Sequence, residues 1–317
     1  MRKRLKTLPL AAVVAAIANL TLLLTQCAGQ TKPGDKTDTG KVQSNANNSG
    51  LGDFSETMTF GGVERTFRLH VPASIDRSAA VPLVVVLHGM GGNGPGMEKT
   101  TGFSSKADAE KFIVVYPNAL GDPSEWGAMP SNSGTTDNVG FLTAMLDRIE
   151  QNHKIDPKRV YFCGFSAGAI MSYRMAAVLG NRIAAIGVAS GTVGVTQPNG
   201  QALTIPQPVE PVPVIVFHGK KDTHIHYDGG GLRANDLSVA YSIKFWINAD
   251  NCSGTPEERT EQNGNLIIDS YHHCKKGIDV VLYSFGNGTH EWPTPQNNDQ
   301  FSATDRIWEF FVHQPKL

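Results

Sequence analysis

The chain has 317 residues, 40% of them hydrophobic and 18% charged, with a formal net charge of -1 at neutral pH. These proportions suit one α/β domain of generous size with a tail, so core burial is not limiting. They leave no basic footprint of the kind that grips nucleic acid.

The first elements are not part of a fold. Met1-Arg2-Lys3-Arg4-Leu5-Lys6 is a basic start, and Leu8 to Leu24 is an apolar run without charge, the pattern of a bacterial export signal. The run is short for the alternative, an uncleaved membrane anchor. Leu24-Thr25-Gln26-Cys27 resembles the lipobox of bacterial lipoproteins, whose cysteine becomes the lipidated first residue. Gln26 departs from the small residue usual at its position, which leaves simple secretion as the other outcome. Residues 1–26 are therefore expected to be a signal peptide, and Cys27 the lipidation candidate. Residues 27–52 are nearly free of large apolar side chains and are expected to be a flexible linker. Residues 53–317 are expected to form a single catalytic domain in the cell envelope or outside it. Loss of the four basic residues before Cys27, with no acid among them, takes the formal charge from -1 to -5. Contact with a membrane is expected only through the anchor.

Ser55 to Phe60 and Glu64 to Val71 flank Gly61-Gly62 and read as a hairpin. Pro82 to Leu87 is a continuous apolar strand, as in a parallel sheet covered on both faces, and Phe112 to Tyr116 is another. Thr136-Asp137 offers an N-cap to a helix with Phe141, Leu142, Met145, Leu146 and Ile149 at helical spacing; Asp156-Pro157 is expected to end that connection. Strand Val160 to Cys163 delivers the motif Gly164-Phe165-Ser166-Ala167-Gly168 into a helix from Ala167 to Leu179. Strands Ile183 to Ala189, Val214 to His218 and Val280 to Phe285 follow, with helices Leu237 to Ala249 and Thr304 to Val312. Strands alternating with helices predict an α/β fold with a doubly wound, mostly parallel sheet, helices on both faces and a site at the carboxyl ends of the strands.

G-x-S-x-G after a strand and before a helix is a nucleophile elbow, the sharp turn that exposes a serine hydroxyl to a base. Side chains at Gly164 and Gly168 would collide with the turn and the helix behind it. Asp222 follows strand Val214 to His218, and His290 follows strand Val280 to Phe285, so all three groups fall just after predicted strands. The order serine, acid, histidine is that of α/β-hydrolases rather than of the chymotrypsin or subtilisin folds. His290 is the expected base, with Asp222 holding its tautomer. Asp228 is the rival acid, farther from its strand end. The backbone N–H groups of Ala167 and Met90 are the expected oxyanion donors, the latter in His88-Gly89-Met90-Gly91-Gly92. His88 is expected to pack that loop without moving protons. Trp292, two residues past His290, and Trp126 are candidates for the wall of the substrate pocket, a place in the core being the alternative for Trp292.

The histidines between Asp222 and Asp228, and His272-His273-Cys274, have no recognised metal-ligand spacing, so neither a metal nor a cofactor is expected. Cys163 reads as a small buried hydrophobe. Cys252 and Cys274 are left as a pair that an oxidising compartment would allow to bridge, two free thiols being the alternative.

Taken together, Arg65 to Pro72, Pro82 to Gly89, Val114 to Asn118, Asp137 to Leu142, Gly164 to Gly168, Phe217 to Asp222 and Gly288 to Pro293 resemble the secreted polyhydroxybutyrate depolymerase and feruloyl esterase group, related to family 1 carbohydrate esterases. That resemblance covers about Phe54 to Val312. It implies an α/β-hydrolase fold, Ser166, Asp222 and His290 as the triad, a bridge between Cys252 and Cys274, and a substrate ester carried on plant polysaccharide or on a polyester. Two other classes stand beside it. A peptidase of the same fold is expected to need a propeller or cap for which the length leaves no room, and a non-catalytic surface-binding lipoprotein would keep the scaffold without a polarised serine.

Overall fold

The computed structural model describes residues 43–44, 50–129, 136–231, 235–297 and 300–316. The signal segment, Cys27 and most of the 27–52 linker lie outside the described residues. In chain order the strands are β1 (Gln43–Ser44), β2 (Gly52–Phe60), β3 (Val63–Val71), β4 (Val81–Leu87), β5 (Ile113–Pro117), β6 (Leu120–Gly121), β7 (Ser124–Glu125), β8 (Ile155–Phe165), β9 (Ala185–Ala189), β10 (Gly194–Thr196), β11 (Ala202–Thr204), β12 (Val214–Gly219), β13 (Glu257–Glu261), β14 (Leu266–Tyr271) and β15 (Val280–Phe285). The helices are α1 (Gly94–Thr101), α2 (Phe103–Glu110), α3 (Asn138–Asn152), α4 (Ala167–Val178), α5 (Val239–Ala249) and α6 (Ala303–Val312).

Eleven strands form one sheet in the order β1-β2-β3-β5-β4-β8-β9-β12-β15-β14-β13. The six from β5 to β15 run parallel, and antiparallel strands extend both edges. Crossing helices must cover a parallel sheet on both faces, which is why β4 and β5 are apolar and buried at every position. One core packs α3, α4 and α5 against Leu83, Val85, Phe162 and Val216. The other packs α1, α2 and α6 against Val84, Val86, Tyr161 and Phe217. Alternate residues of each strand feed opposite cores, and each fully buried Val or Leu contributes about 1.5–3 kcal/mol.

The Gly61-Gly62 turn of the β2–β3 hairpin has φ of 57° and 76°, the twist-matched geometry that glycine adopts without a Cβ penalty. At α3, Asp137 Oδ1 accepts from Gly140 N at 2.8 Å, as its N-cap position predicts.

Three features depart from the expectations. Strand β8 begins at Ile155 rather than at Val160, with a register break between the Val81–Ile155 and Leu83–Val160 pairs. Pro157 falls in that irregular stretch, where its missing N–H costs no ladder bond. Helices α1 and α2 occupy a stretch without a predicted element; Asn93 Oδ1 caps α1 by accepting from Gly96 N, and Gly102, at φ 67°, closes it. The edge hairpin β13–β14 was also unpredicted, since β13 is charged and nearly all exposed and lacks the usual strand signal.

Candidate active site

Strand β8 ends at the elbow, where Ser166 has φ 54° and ψ -118°, a conformation that an L-residue holds only under constraint. The constraint is visible. Ser166 N donates to Ala189 O at 2.9 Å, and Ile170 N donates to Ser166 O at 3.1 Å. A Cβ on Gly164 would lie 2.4 Å from Gly168 O, and one on Gly168 would lie 2.3 Å from Leu87 O. Only glycines let α4 press this closely on β4 and β8.

Asp222 and His290 leave adjacent parallel strands, β12 and β15, through loops that are laced together. Lys220 N donates to Phe285 O and Lys221 N to Gly288 O, both at 2.9 Å. Gly219 and Gly288 touch so closely that a Cβ on Gly219 would lie 2.3 Å from the Gly288 carbonyl. Asp222 is fixed further by its Oδ1, which accepts from His224 N at 2.8 Å and Ile225 N at 2.9 Å.

His290 Nδ1 lies 2.8 Å from Asp222 Oδ2, and Nε2 lies 2.9 Å from Ser166 Oγ. A carboxylate only accepts, so Nδ1 carries the proton and Nε2 of the neutral ring keeps its lone pair toward the serine hydroxyl. Burial alone would raise the Asp222 carboxyl, but the His290 hydrogen bond and charge and the two backbone donors outweigh it and hold it below the ordinary aspartate range. Asp228, the rival acid, is exposed.

Met90 and Ala167 stand beside Ser166 in a cavity of about 100 Å³, whose other walls are Ile170, His224, Ile225, Asp236 and His290. The oxyanion loop is tied by Gly91 N to Ser124 O and Ser124 Oγ to Gly92 O. His88 holds it from below, buried, with Ala119 N donating to its Nε2. Its Nδ1 must then bear the proton and donate to Gly89 O at 2.7 Å. Burial pushes the His88 imidazole downward, which suits a neutral packing residue.

Two sequence expectations need correction. Trp126 is 1% exposed, donates Nε1 to His88 O at 2.8 Å and packs on the His88 ring, so it braces the loop from within the core instead of lining the cavity. Trp292 is 2% exposed and turns into the core on the α6 side, donating Nε1 to Thr304 Oγ1 and packing edge-on against Phe103. Both indoles satisfy their N–H inside the protein, and neither is among the residues that wall the cavity.

Sequence reasoning gave His218 no role and weighed His224 only as a metal ligand. His218 is fully buried; its Nε2 donates to Ile225 O at 2.8 Å and sits 3.4 Å from Asp222 Oδ2. Burial holds its imidazole below the ordinary histidine range against the raising influence of those neighbours. His224 is stacked on His290 at the cavity wall. The available signal was position, at the end of β12 for His218 and in the loop after it for His224. Donor atoms of Asp222, His224 and His290 lie within 4.8 Å of one another, as do those of Asp53, His70 and Glu98, and these are the described clusters with the geometry to hold a cation. Cys163 is buried within β8 with its thiol pushed well up by burial, which leaves no reactive thiolate. Cys252 and Cys274 form a disulfide.

Residues 66–205 match the family model described as "Esterase PHB depolymerase". The "Bifunctional acetylxylan esterase/xylanase XynS20E" of Neocallimastix patriciarum is 26% identical over 253 residues, 78% of this chain, and the match spans only 33% of that relative's length. The "Probable feruloyl esterase C" of Aspergillus terreus is 28% identical over 282 residues, covering 84% of this chain and 92% of that protein. Among solved structures, the acetyl xylan esterase from Aspergillus awamori aligns with a TM-score of 0.57 at 16% identity, over 86% of this chain and 99% of that one, a likeness of fold. The chain thus has an α/β-hydrolase fold and is similar in sequence to esterases of the polyhydroxybutyrate depolymerase and feruloyl esterase group.

Proposed function

We propose that the protein is an exported serine esterase that removes short acyl groups from polysaccharide through an acyl-enzyme formed on Ser166. The unbroken hydrogen-bonded chain Ser166–His290–Asp222 carries this reading. His290 accepts the Ser166 proton as Oγ attacks the ester carbonyl, while Asp222 stabilises the imidazolium that forms. The N–H groups of Ala167, at the start of α4, and of Met90 receive the developing oxyanion, with the helix dipole adding to the first. His290 then protonates the leaving alcohol, and water attacks the acyl-enzyme by the same steps in reverse order.

The acyl group is argued from size. The cavity of about 100 Å³ is small beside the roughly 300 Å³ at which ordinary ligand sites begin. That room suits acetyl or hydroxybutyryl rather than an extended aromatic acid. The acetyl and feruloyl ester names of the relatives support an ester on polysaccharide as the physiological class. The basic, then apolar, start of the chain supports export, with Cys27 as the lipidated residue; mass spectrometry of the membrane fraction tests that assignment.

Ser166→Ala is expected to lower turnover of nitrophenyl acetate by several orders of magnitude and to abolish labelling by a fluorophosphonate, with the melting temperature retained. Near-native turnover by that variant would remove the triad from the mechanism, whereas a native protein that neither turns over the ester nor takes the label would leave the surface-binding reading in its place.

A further inference from the structure

The His290 ring makes two in-plane hydrogen bonds, and both depend on a single ring orientation. Nothing in those bonds stops the ring from tipping about the line that joins them. Its two faces must be held by something else.

Phe165, the residue before the nucleophile, packs on the ring at a tilt, with centroids 4.9 Å apart and planes at 45°. His224 stacks on a face of it, with centroids 4.6 Å apart and planes at 18°, nearly parallel. His224 is placed there by the acid itself, since Asp222 Oδ1 accepts from the His224 backbone N–H at 2.8 Å. The same ring forms part of the cavity wall and is exposed on its outer side. One carboxylate therefore fixes the base twice, through Oδ2 in the plane of the imidazole and through the His224 backbone against its face. The neighbouring aromatic rings also meet the positive charge that His290 acquires when it takes the serine proton.

We propose that His224 is a positioning residue that, together with Phe165, clamps the His290 imidazole in the orientation that reaches both Ser166 and Asp222 and supports the imidazolium as it forms. This rests on the reading of Ser166, His290 and Asp222 as the triad. The requirement is a flat π-face at residue 224. Displacements of about 1 Å at a reacting group can cost a hundredfold in rate. Losing the face should therefore slow the chemical step and leave substrate binding nearly unchanged.

His224→Leu fills a similar volume without a π-face, His224→Phe restores the face without the imidazole, and His224→Ala removes both. The Leu and Ala variants are expected to lose tenfold or more in kcat for nitrophenyl acetate, with KM within threefold of the native value. Labelling by a fluorophosphonate should slow in parallel, because it reports serine activation without an acyl pocket. His224→Phe should recover most of both rates. If Ala melts early, the Leu and Phe comparison at matched melting temperature decides. Equal rates for Leu and Phe, or all three variants within twofold of native, would overturn the proposal. Ser166→Ala is run beside them: activity surviving there defeats the triad reading itself, whereas a dead Ser166→Ala with indifferent residue 224 variants defeats the clamp alone.

Discussion

At Ser166 the φ of 54° is imposed by neighbours that have no side chains to yield. Gly168 is the sharpest case. A methyl there would press on backbone oxygens of Leu87 and His88, at 2.3 and 2.6 Å, and backbone cannot rotate out of the way. Gly168→Ala is expected to lose about 3 kcal/mol of stability, the upper end for overpacking, seen as a lower melting midpoint, together with most activity, since relief requires α4 to lift from β4. A native-like midpoint for that variant would mean that the elbow is looser than its distances suggest. The three candidate catalytic side chains were legible because each belongs to a short motif at a strand end. The two tryptophans were misread for the opposite reason: proximity in sequence to His290 or to the oxyanion loop says nothing about which face of the chain is turned inward. His224 was missed because a stack forms across space between residues 66 positions apart.

Among the elements, α5 ends in an acid that the sequence gives no cause to notice. Asp250 is fully buried; Oδ1 accepts from Val212 N at 3.2 Å, while Oδ2 has no partner among the described residues. Burial pushes its carboxyl from 3.8 up to about 8, against the lowering effect of the Val212 N–H. The folded value lies above the unfolded one, so the fold favours the neutral acid. Its contribution is full below about pH 4 and is lost as the pH rises toward about 8. Asp250→Asn keeps the acceptor for Val212 without the charge. It should raise the melting temperature at pH 8, leave it nearly unchanged at pH 4, and so flatten the profile between them. An unchanged slope would show that Asp250 is not the group responsible. Elements with strong periodicity, α3 and the buried strands, were legible within a few residues. Helix α1, built on Gly94-Pro95-Gly96, and the charged β13 were not, because packing and hairpin pairing impose those structures against weak local preference.

For the molecule as a whole, the parallel sheet brings the ends of β8, β12 and β15, with β9 between the first two, to one edge, and so lets three distant loops meet at one small cavity. The size of that cavity sets the expected selectivity. Nitrophenyl acetate and hydroxybutyrate oligomers should be hydrolysed at least tenfold faster than methyl ferulate, with acetylated xylan a substrate. A preference for the ferulate would mean that the acyl slot is larger than its described walls. Sequence by itself determined the fold class and the candidates for nucleophile, acid and base, and it left Cys252 and Cys274 as the pair that could bridge, because hydrophobic period, turn chemistry and motif order are local and act wherever the chain goes. Only the tertiary structure decided which aromatic rings reach the site, that His224 faces His290, how large the cavity beside Ser166 is and that Asp250 is buried with one oxygen unpaired among the described residues. Those properties arise from which side of each element meets another, and that is settled by packing the whole sheet rather than by any segment of it.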